Sequence, residues 1–322
     1  MDRYTSRYPI TEKRKAERMQ DAASEDNGFK KLDYKELASR SGSNKSAAGN
    51  VTVKAQPRIL AVANQKGGVG KTTTAINLST ALSAVGKKVL LVDLDPQGNA
   101  STGLGVRRSS IKQSVYDVLF GEASLSDIAM QTRVPGLSVA PSSIHLSGAE
   151  IELVTAERRE HRLVGAMRTA LPYDYIIIDC PPSLNLLTLN ALIAAHSVVV
   201  PLQCEFYALE GLSHLTKTIE RVRKHYNPEL DIHGVLLTMF DTRNNLSGMV
   251  ANDVREFFGD KVYKTVIPRN VRVSEAPSHG LPAIVYDMKC PGAQAYIHLA
   301  REILKRERSI EQSSGLADQS VA

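Results

Sequence analysis

Eight consecutive residues could do chemistry on a polyphosphate: Lys66-Gly67-Gly68-Val69-Gly70-Lys71-Thr72-Thr73. Glycines let backbone N–H groups turn inward and approach phosphates closely. A helix starting at the end of the loop adds its partial positive charge. Lys71 is placed to reach β- and γ-phosphates, and the Thr72 hydroxyl to bind Mg²⁺. Three carboxylates end apolar runs: Asp93 and Asp95 in LLVDLDPQGNAS, and Asp179 in YIIIDCPPS. Carboxylates at strand ends beside such a loop suit Mg²⁺ coordination and water positioning. Asp95 is the candidate for orienting an attacking water, and Asp179 for holding Mg²⁺ through water. Asp93 reads as structural support.

The elements that must position these groups are legible in the surrounding pattern. Ile59–Ala63 is a short apolar run before the loop. Thr72–Val85 repeats apolar residues at helical spacing (Ala75, Leu78, Leu82, Val85), and Gly86 follows where a helix would stop. Lys88–Val92 is a second buried strand. Further apolar runs are Leu137–Ala140, Tyr175–Ile178, Ser197–Leu202, Val235–Met239 and Val262–Ile267. Helical stretches lie between most of them. The pattern predicts an α/β fold, a doubly wound and mostly parallel sheet with helices on both faces. The loop then sits where such sheets bind ligands.

The chain has 322 residues, with 40 Lys+Arg against 34 Asp+Glu. Residues 1–57 hold 12 of those basic and 8 of those acidic residues. That stretch is polar and aperiodic, so it reads as a disordered basic arm with a short helix around Thr11–Asp21. Residues 58–308 read as the folded domain and 309–322 as a polar tail. The folded part is nearly neutral, so polyanion binding must come from clustered charge. Cys180, Cys204 and Cys290 are too scattered for a disulfide framework or a CxxC metal site. No apolar run is long enough for a membrane span, and the N-terminus lacks an apolar signal core.

The standard phosphate-loop pattern wants glycine where Gln65 stands, and here a second lysine, Lys66, opens the loop. KGGVGKT is the deviant Walker A sequence of P-loop NTPases. Together with VLLVDLDPQGNASTGLG, YDYIIIDCPPSLNLLTLNAL, PLQCEFYALEGLSHL, GVLLTMFDTRNNLS and YKTVIPRNVRVSEAPSHG, it resembles the ParA/Soj family of chromosome- and plasmid-partitioning ATPases. The likeness runs from about Arg58 to Arg306. It implies ATP and Mg²⁺ as cofactors and ATP hydrolysis as the activity. It implies a sandwich homodimer formed with ATP, in which Lys66 crosses to the partner's phosphates. Lys66, Lys71 and Asp95 become the catalytic residues. The nucleotide contacts become Lys66, Gly67, Gly68, Val69, Gly70, Lys71, Thr72 and Thr73. Pro268 and Asn270 would contact the adenine, with Met239 a candidate to pack on the ring.

The resemblance further implies non-specific binding of double-stranded DNA, for which Arg243 and Arg272 match arginines the family uses. Lys217, Arg221 and Lys224 share a helical face, and Arg301 and Lys305 another; solvated faces are the plainer reading of both. The implied partner is a ParB-like centromere-binding protein that stimulates hydrolysis. The implied location is cytoplasmic and nucleoid-associated. Two alternatives remain: a ParA-like positioner of a protein cargo, and a MinD-like membrane-associated regulator. Against the last, REILKRERSIEQSSGLADQSVA lacks the apolar face of a membrane helix.

Overall fold

The computed structural model describes residues 56–168 and 171–319, with side chains through Ser309. The expected basic arm, with its helix at Thr11–Asp21, lies outside the described residues. Seven strands form one sheet: β1 (Arg58–Val62), β2 (Val89–Asp93), β3 (Met130–Gln131), β4 (Leu137–Ala140), β5 (Tyr175–Asp179), β6 (Ser197–Gln203) and β7 (Asp231–Thr238). Their order is β3-β4-β2-β5-β1-β6-β7. All pairings are parallel except β3 against β4. The helices that frame the site are α1 (Lys71–Ala84), α2 (Asn99–Gly103), α3 (Val115–Phe120), α4 (Leu186–Ala194), α5 (Ala208–His225), α6 (Asn245–Phe258), α7 (Val271–Glu275) and α8 (Pro291–Gln319). Further short helices fill the connections.

The central strands are buried on both faces, as their continuous apolar runs require. Alternate residues feed two separate cores. Ile59 and Ala61 join Leu187, Leu212 and Val254 on one face. Leu60 and Val62 join Leu78 and Leu82 of α1 and Tyr296 and Leu299 of α8 on the other. This two-residue alternation is the pleat of a strand. Helix α1 is buried almost all round, and its Ala, Ser and Thr side chains let it lie close to both the sheet and α8. It ends as its sequence predicts: Val85 caps it and Gly86 turns with φ +86°.

Three elements differ from the sequence pattern. Val262–Ile267 is not a strand; it meets β7 through a bridge at Val262 and through the Tyr263 and Ile267 N–H groups, which donate to the Val235 and Leu237 carbonyls at 2.9 Å each. Its middle turns away because the Lys264 and Thr265 N–H groups donate to the Glu302 carboxylate on α8, at 2.9 and 3.0 Å. A charged acceptor there outcompetes a neutral ladder. The two-residue edge strand β3 has too little length to leave a periodic signal. Helix α8 runs without interruption past residue 308 to Gln319.

Candidate functional site

The site forms at the carboxyl ends of β1, β5 and β2. The register pairs Val62 with Asp179, and Asp93 with Asp179. Residues 63–70 leave β1 and curl before α1. Gly68 and Gly70 take left-handed φ angles of +74° and +87°, which side-chain-bearing residues adopt only with strain. A Cβ on Gly67 or Gly68 would meet nothing within 4 Å, so the loop's outer side is open for a ligand.

Lys71 is almost fully buried, and its Nζ donates to the Lys66 carbonyl at 2.9 Å. The ammonium therefore sits inside the curl. Burial lowers its pKa, while Asp179 and then Cys180 and Asp95 oppose that. The Asn64 side chain anchors the loop's entry. It donates to the Pro201 carbonyl at 2.7 Å and accepts from the Lys66 N–H at 3.0 Å. Thr238, the last residue of β7, donates its hydroxyl to the Val69 carbonyl at 2.8 Å.

The three carboxylates have different surroundings. Asp93 is buried and accepts at one oxygen from the Ser101 N–H (2.7 Å) and hydroxyl (2.6 Å). Burial pushes its pKa up to about 6 despite those bonds. Its part is structural: it ties α2 to β2. Asp179 is also fully buried, and neither of its oxygens has a hydrogen-bond partner of ordinary geometry. Burial raises its pKa well above the usual range and Asp93 adds to that; the Thr72 hydroxyl and Lys71 pull it back. Asp95 accepts from the Gln97 N–H at 2.9 Å. Its backbone carbonyl accepts from the Ser142 hydroxyl at 2.6 Å and the Gly98 N–H at 2.9 Å. Those bonds fix the Asp95–Gly98 turn, and among the described residues the second Asp95 carboxylate oxygen is free.

An orphaned, buried carboxylate facing a threonine hydroxyl fits a hard divalent cation such as Mg²⁺, which takes oxygen ligands and retains water. Cys180 does not enter this chemistry, because burial pushes its thiol pKa far up. The three cysteines are buried and free. Among the described residues no cluster of three His, Cys, Asp or Glu side chains could hold a metal.

The remaining expected residues belong to other elements than the loop. Pro268 bridges to Phe240, and Asn270 lies two residues further on. Asn270 caps α7, accepting from the Val273 N–H at 3.3 Å, so its amide NH₂ is the part left for a ligand. Met239 follows β7 in the left-handed region (φ +49°), a conformation that costs a side-chain-bearing residue about 1 kcal/mol or more. Arg243 is exposed and bound through two nitrogens to Asp241, at 2.9 and 2.7 Å. Arg272 is exposed on α7 and bonds Glu275 at 3.1 Å. No bond joins the two arginines. Lys217, Arg221 and Lys224 are exposed on α5, opposite its buried Leu212, Leu215, Ile219 and Val222. Arg301 and Lys305 are likewise exposed on α8.

Two contacts escaped the sequence. Lys66 pairs with Glu205, which follows β6, and beside it the exposed Phe206 and Tyr207 rings meet edge to face at 5.1 Å. Glu205 carries one signal that marks Asp93 and Asp179, an acid just beyond an apolar strand. Thr238 carries no signal, since a threonine at a strand end is ordinary.

A mostly parallel sheet with a glycine loop, a buried lysine and strand-end carboxylates at its carboxyl edge defines a P-loop NTPase. The comparisons place it more narrowly. A family model described as an AAA domain matches residues 57–232. The chromosome partitioning protein ParA of Caulobacter vibrioides is 63% identical over 254 residues, covering 78% of this chain and 95% of that protein. The sporulation initiation inhibitor protein Soj of Bacillus subtilis is 58% identical over 247 residues, covering 76% and 98%. Among solved structures, cobyrinic acid a,c-diamide synthase from Mycobacterium smegmatis with bound ADP and magnesium is 40% identical. It has a TM-score of 0.70, covering 79% of this chain and 96% of that one. The chain belongs to the ParA/Soj family of partitioning ATPases.

Proposed function

We propose that this ATPase segregates DNA by switching between two nucleotide-dependent states. The observation that carries the nucleotide half is the buried, unpartnered Asp179 carboxylate beside Thr72 and Lys71. The backbone of Gly67–Gly70 with Lys71, Thr72 and Thr73 cradles the phosphates of ATP, and Lys71 balances their charge. Thr72 and, through water, Asp179 hold Mg²⁺, which neutralises phosphate charge when bound. Asp95 orients the attacking water with its free oxygen. Pro268 and the Asn270 amide contact the adenine.

ATP closes two copies face to face, and Lys66 exchanges Glu205 for the partner's phosphates. Transition-state charge then rests on Lys66 and Lys71, an electrostatic device worth on the order of 10²–10³ in rate per group, to which Mg²⁺ would add positive charge when bound. Arg243 and Arg272 contact duplex phosphates without reading bases. Their carboxylate partners set a threshold that a dense row of phosphates exceeds. A ParB-like protein stimulates hydrolysis and releases the complex. The protein works in the cytoplasm on the nucleoid. Among the described residues no helix is long and apolar enough to cross a membrane.

The test is co-sedimentation with duplex DNA of arbitrary sequence under ATP, ADP or no nucleotide, at two salt concentrations. Wild type binds with ATP, less so at high salt, and Arg243→Glu/Arg272→Glu does not bind. Asp95→Ala binds ATP and DNA but stalls, and Lys71→Ala loses nucleotide. Binding indifferent to nucleotide would move the DNA contact to the basic N-terminal residues. An absence of binding would leave the cargo-positioning and membrane-associated readings, which liposome pelleting with ATP separates.

A further inference from the structure

A second cavity lies behind the turn that carries Asp95. It has a volume of about 630 Å³, within the size range of small-molecule pockets. One side is the Asp95–Gly98 turn, contributing Gln97 and Gly98; the other comes from residues 108–117 and 142–145. Three of its lining side chains can be cationic: Arg108, Lys112 and His145. Among the described residues Lys112 has no bonded partner, and the His145 ring meets the Tyr116 ring with centroids 5.8 Å apart. The one lining carboxylate, Asp117, accepts at a single oxygen from the Ser114 N–H and hydroxyl, at 2.6 and 3.1 Å, in the capping box of α3. Ile144, exposed over 67% of its surface, gives the mouth an apolar side.

We propose that this cavity is a second ligand site, for a small molecule that joins a phosphate group to a flat or apolar body. Arg108 and Lys112 take the phosphate. A guanidinium matches phosphate geometry and an ammonium adds a point charge. The Tyr116–His145 ring pair and Ile144 take the body.

The site also has a physical line to the catalytic turn. Arg108 Nη2 donates to the Gln97 carbonyl at 2.7 Å, and the Gln97 N–H donates to the Asp95 carboxylate at 2.9 Å. A phosphate that draws Arg108 away loosens the residue that holds Asp95, so occupancy changes turnover. This coupling rests on the assignment of Asp95 to water positioning; the site itself does not.

The experiment is calorimetric titration of GDP, and separately of inorganic pyrophosphate, into the full-length protein with the phosphate loop saturated by ADP and excess Mg²⁺. Saturable GDP binding is expected, at least ten-fold weaker in Arg108→Ala/Lys112→Ala. Ile144→Ser, which removes the apolar side without adding charge, is expected to weaken GDP more than pyrophosphate. Both changes are at exposed positions, and thermal melting verifies the fold. Absence of saturable binding by either probe, or binding undiminished in the double variant, overturns the site. At saturating ATP, GDP is expected to change turnover about three-fold in wild type and not in the double variant. Binding that leaves turnover unchanged overturns the coupling while the site stands. DNA binding, tested separately above, is indifferent to all of these outcomes.

Discussion

The two ends of the same sheet treat buried polar groups in opposite ways. At the carboxyl end Asp179 is fully buried with both oxygens unpartnered, and one Asp93 oxygen shares that condition. At the amino end most polar groups pair with one another, and His233 Nε2 is the atom there left without a hydrogen bond of ordinary geometry among the described residues. Arg58 Nε donates to the Glu307 carboxylate at 3.0 Å, and its Nη2 to the Ser197 hydroxyl at 2.8 Å. Glu307 lies 2.9 Å from His233 Nε2, off the ideal hydrogen-bond line, and His233 Nδ1 meets the Tyr263 hydroxyl at 2.6 Å. Arg306 stacks over the Tyr263 ring at 4.4 Å and donates to the His233 and Val262 carbonyls. An unpaired buried polar group is costly, whereas a satisfied network makes the structure specific. The amino end therefore clamps α8 to the sheet, and the carboxyl end holds unspent interaction capacity for a ligand.

The largest expected effect comes from breaking the paired end. Glu307→Ala leaves Arg58 and His233 without their shared carboxylate. Loss of one partner from a buried pair costs on the order of 3–5 kcal/mol, so the melting temperature falls by many degrees. ATP turnover per folded molecule stays unchanged, and a loss of turnover at full folding would erase the contrast between the ends. Acid probes the same residue. Burial favours the neutral form, but His233 and Arg58 outweigh it and hold the Glu307 pKa below its ordinary value. The stability it contributes is therefore present above the unfolded carboxylate's pKa and is lost as pH falls through the lower, folded value. Equilibrium unfolding against pH should show this acid loss in wild type and a smaller one in Glu307→Gln.

A smaller effect of opposite sign is expected at the other end. Asp179→Asn removes a buried carboxylate that Asp93 repels and that the Thr72 hydroxyl and Lys71 offset only in part. Removing the buried charge and its repulsion by Asp93 is worth about 1–3 kcal/mol even though a polar amide stays in its place, so the nucleotide-free protein should melt higher. Mg²⁺-dependent turnover should fall steeply. This trade of stability for function is common at binding sites. A lower melting temperature for Asp179→Asn would mean that the carboxylate is already satisfied.

How far the sequence reached follows the same division. The loop and its carboxylates were legible because their meaning is local: glycines and a lysine between an apolar strand and a helix, and acids at strand ends. The alternation of Ile59–Ala63 and the Gly86 stop carry the fold for the same reason. The amino-end network was not legible, because Arg58 and Glu307 are 249 residues apart and neither type announces its partner. Nor was the fate of Val262–Ile267, an apolar run drawn off the sheet by Glu302, a residue on another element. Lys66 lay between these cases. Its presence marked the loop as unusual, but its pairing with Glu205 needed β6 in place beside β1.

The smallest expected effect concerns the strand that joins the two ends. β7 begins at Asp231, two residues before His233 in the paired network, and finishes at Thr238, whose hydroxyl holds the Val69 carbonyl. Thr238 and Val69 are both buried, so no bulk water replaces the bond if it is lost. Thr238→Val keeps the shape and removes the donor. The loss should be about 0.5–1.5 kcal/mol, spread between stability and loop order. Val69 precedes Gly70, so a looser carbonyl lets the phosphate cradle sample more conformations before nucleotide orders it. The expected result is a few-fold rise in KM for ATP with kcat nearly constant, restored by Thr238→Ser. A fall in kcat with KM unchanged would mean that Thr238 acts on the chemical step and that the loop is held by its glycines and Asn64 alone. The rigidity of the paired end would then stop short of the site, and β7 would be packing rather than a link between the two ends.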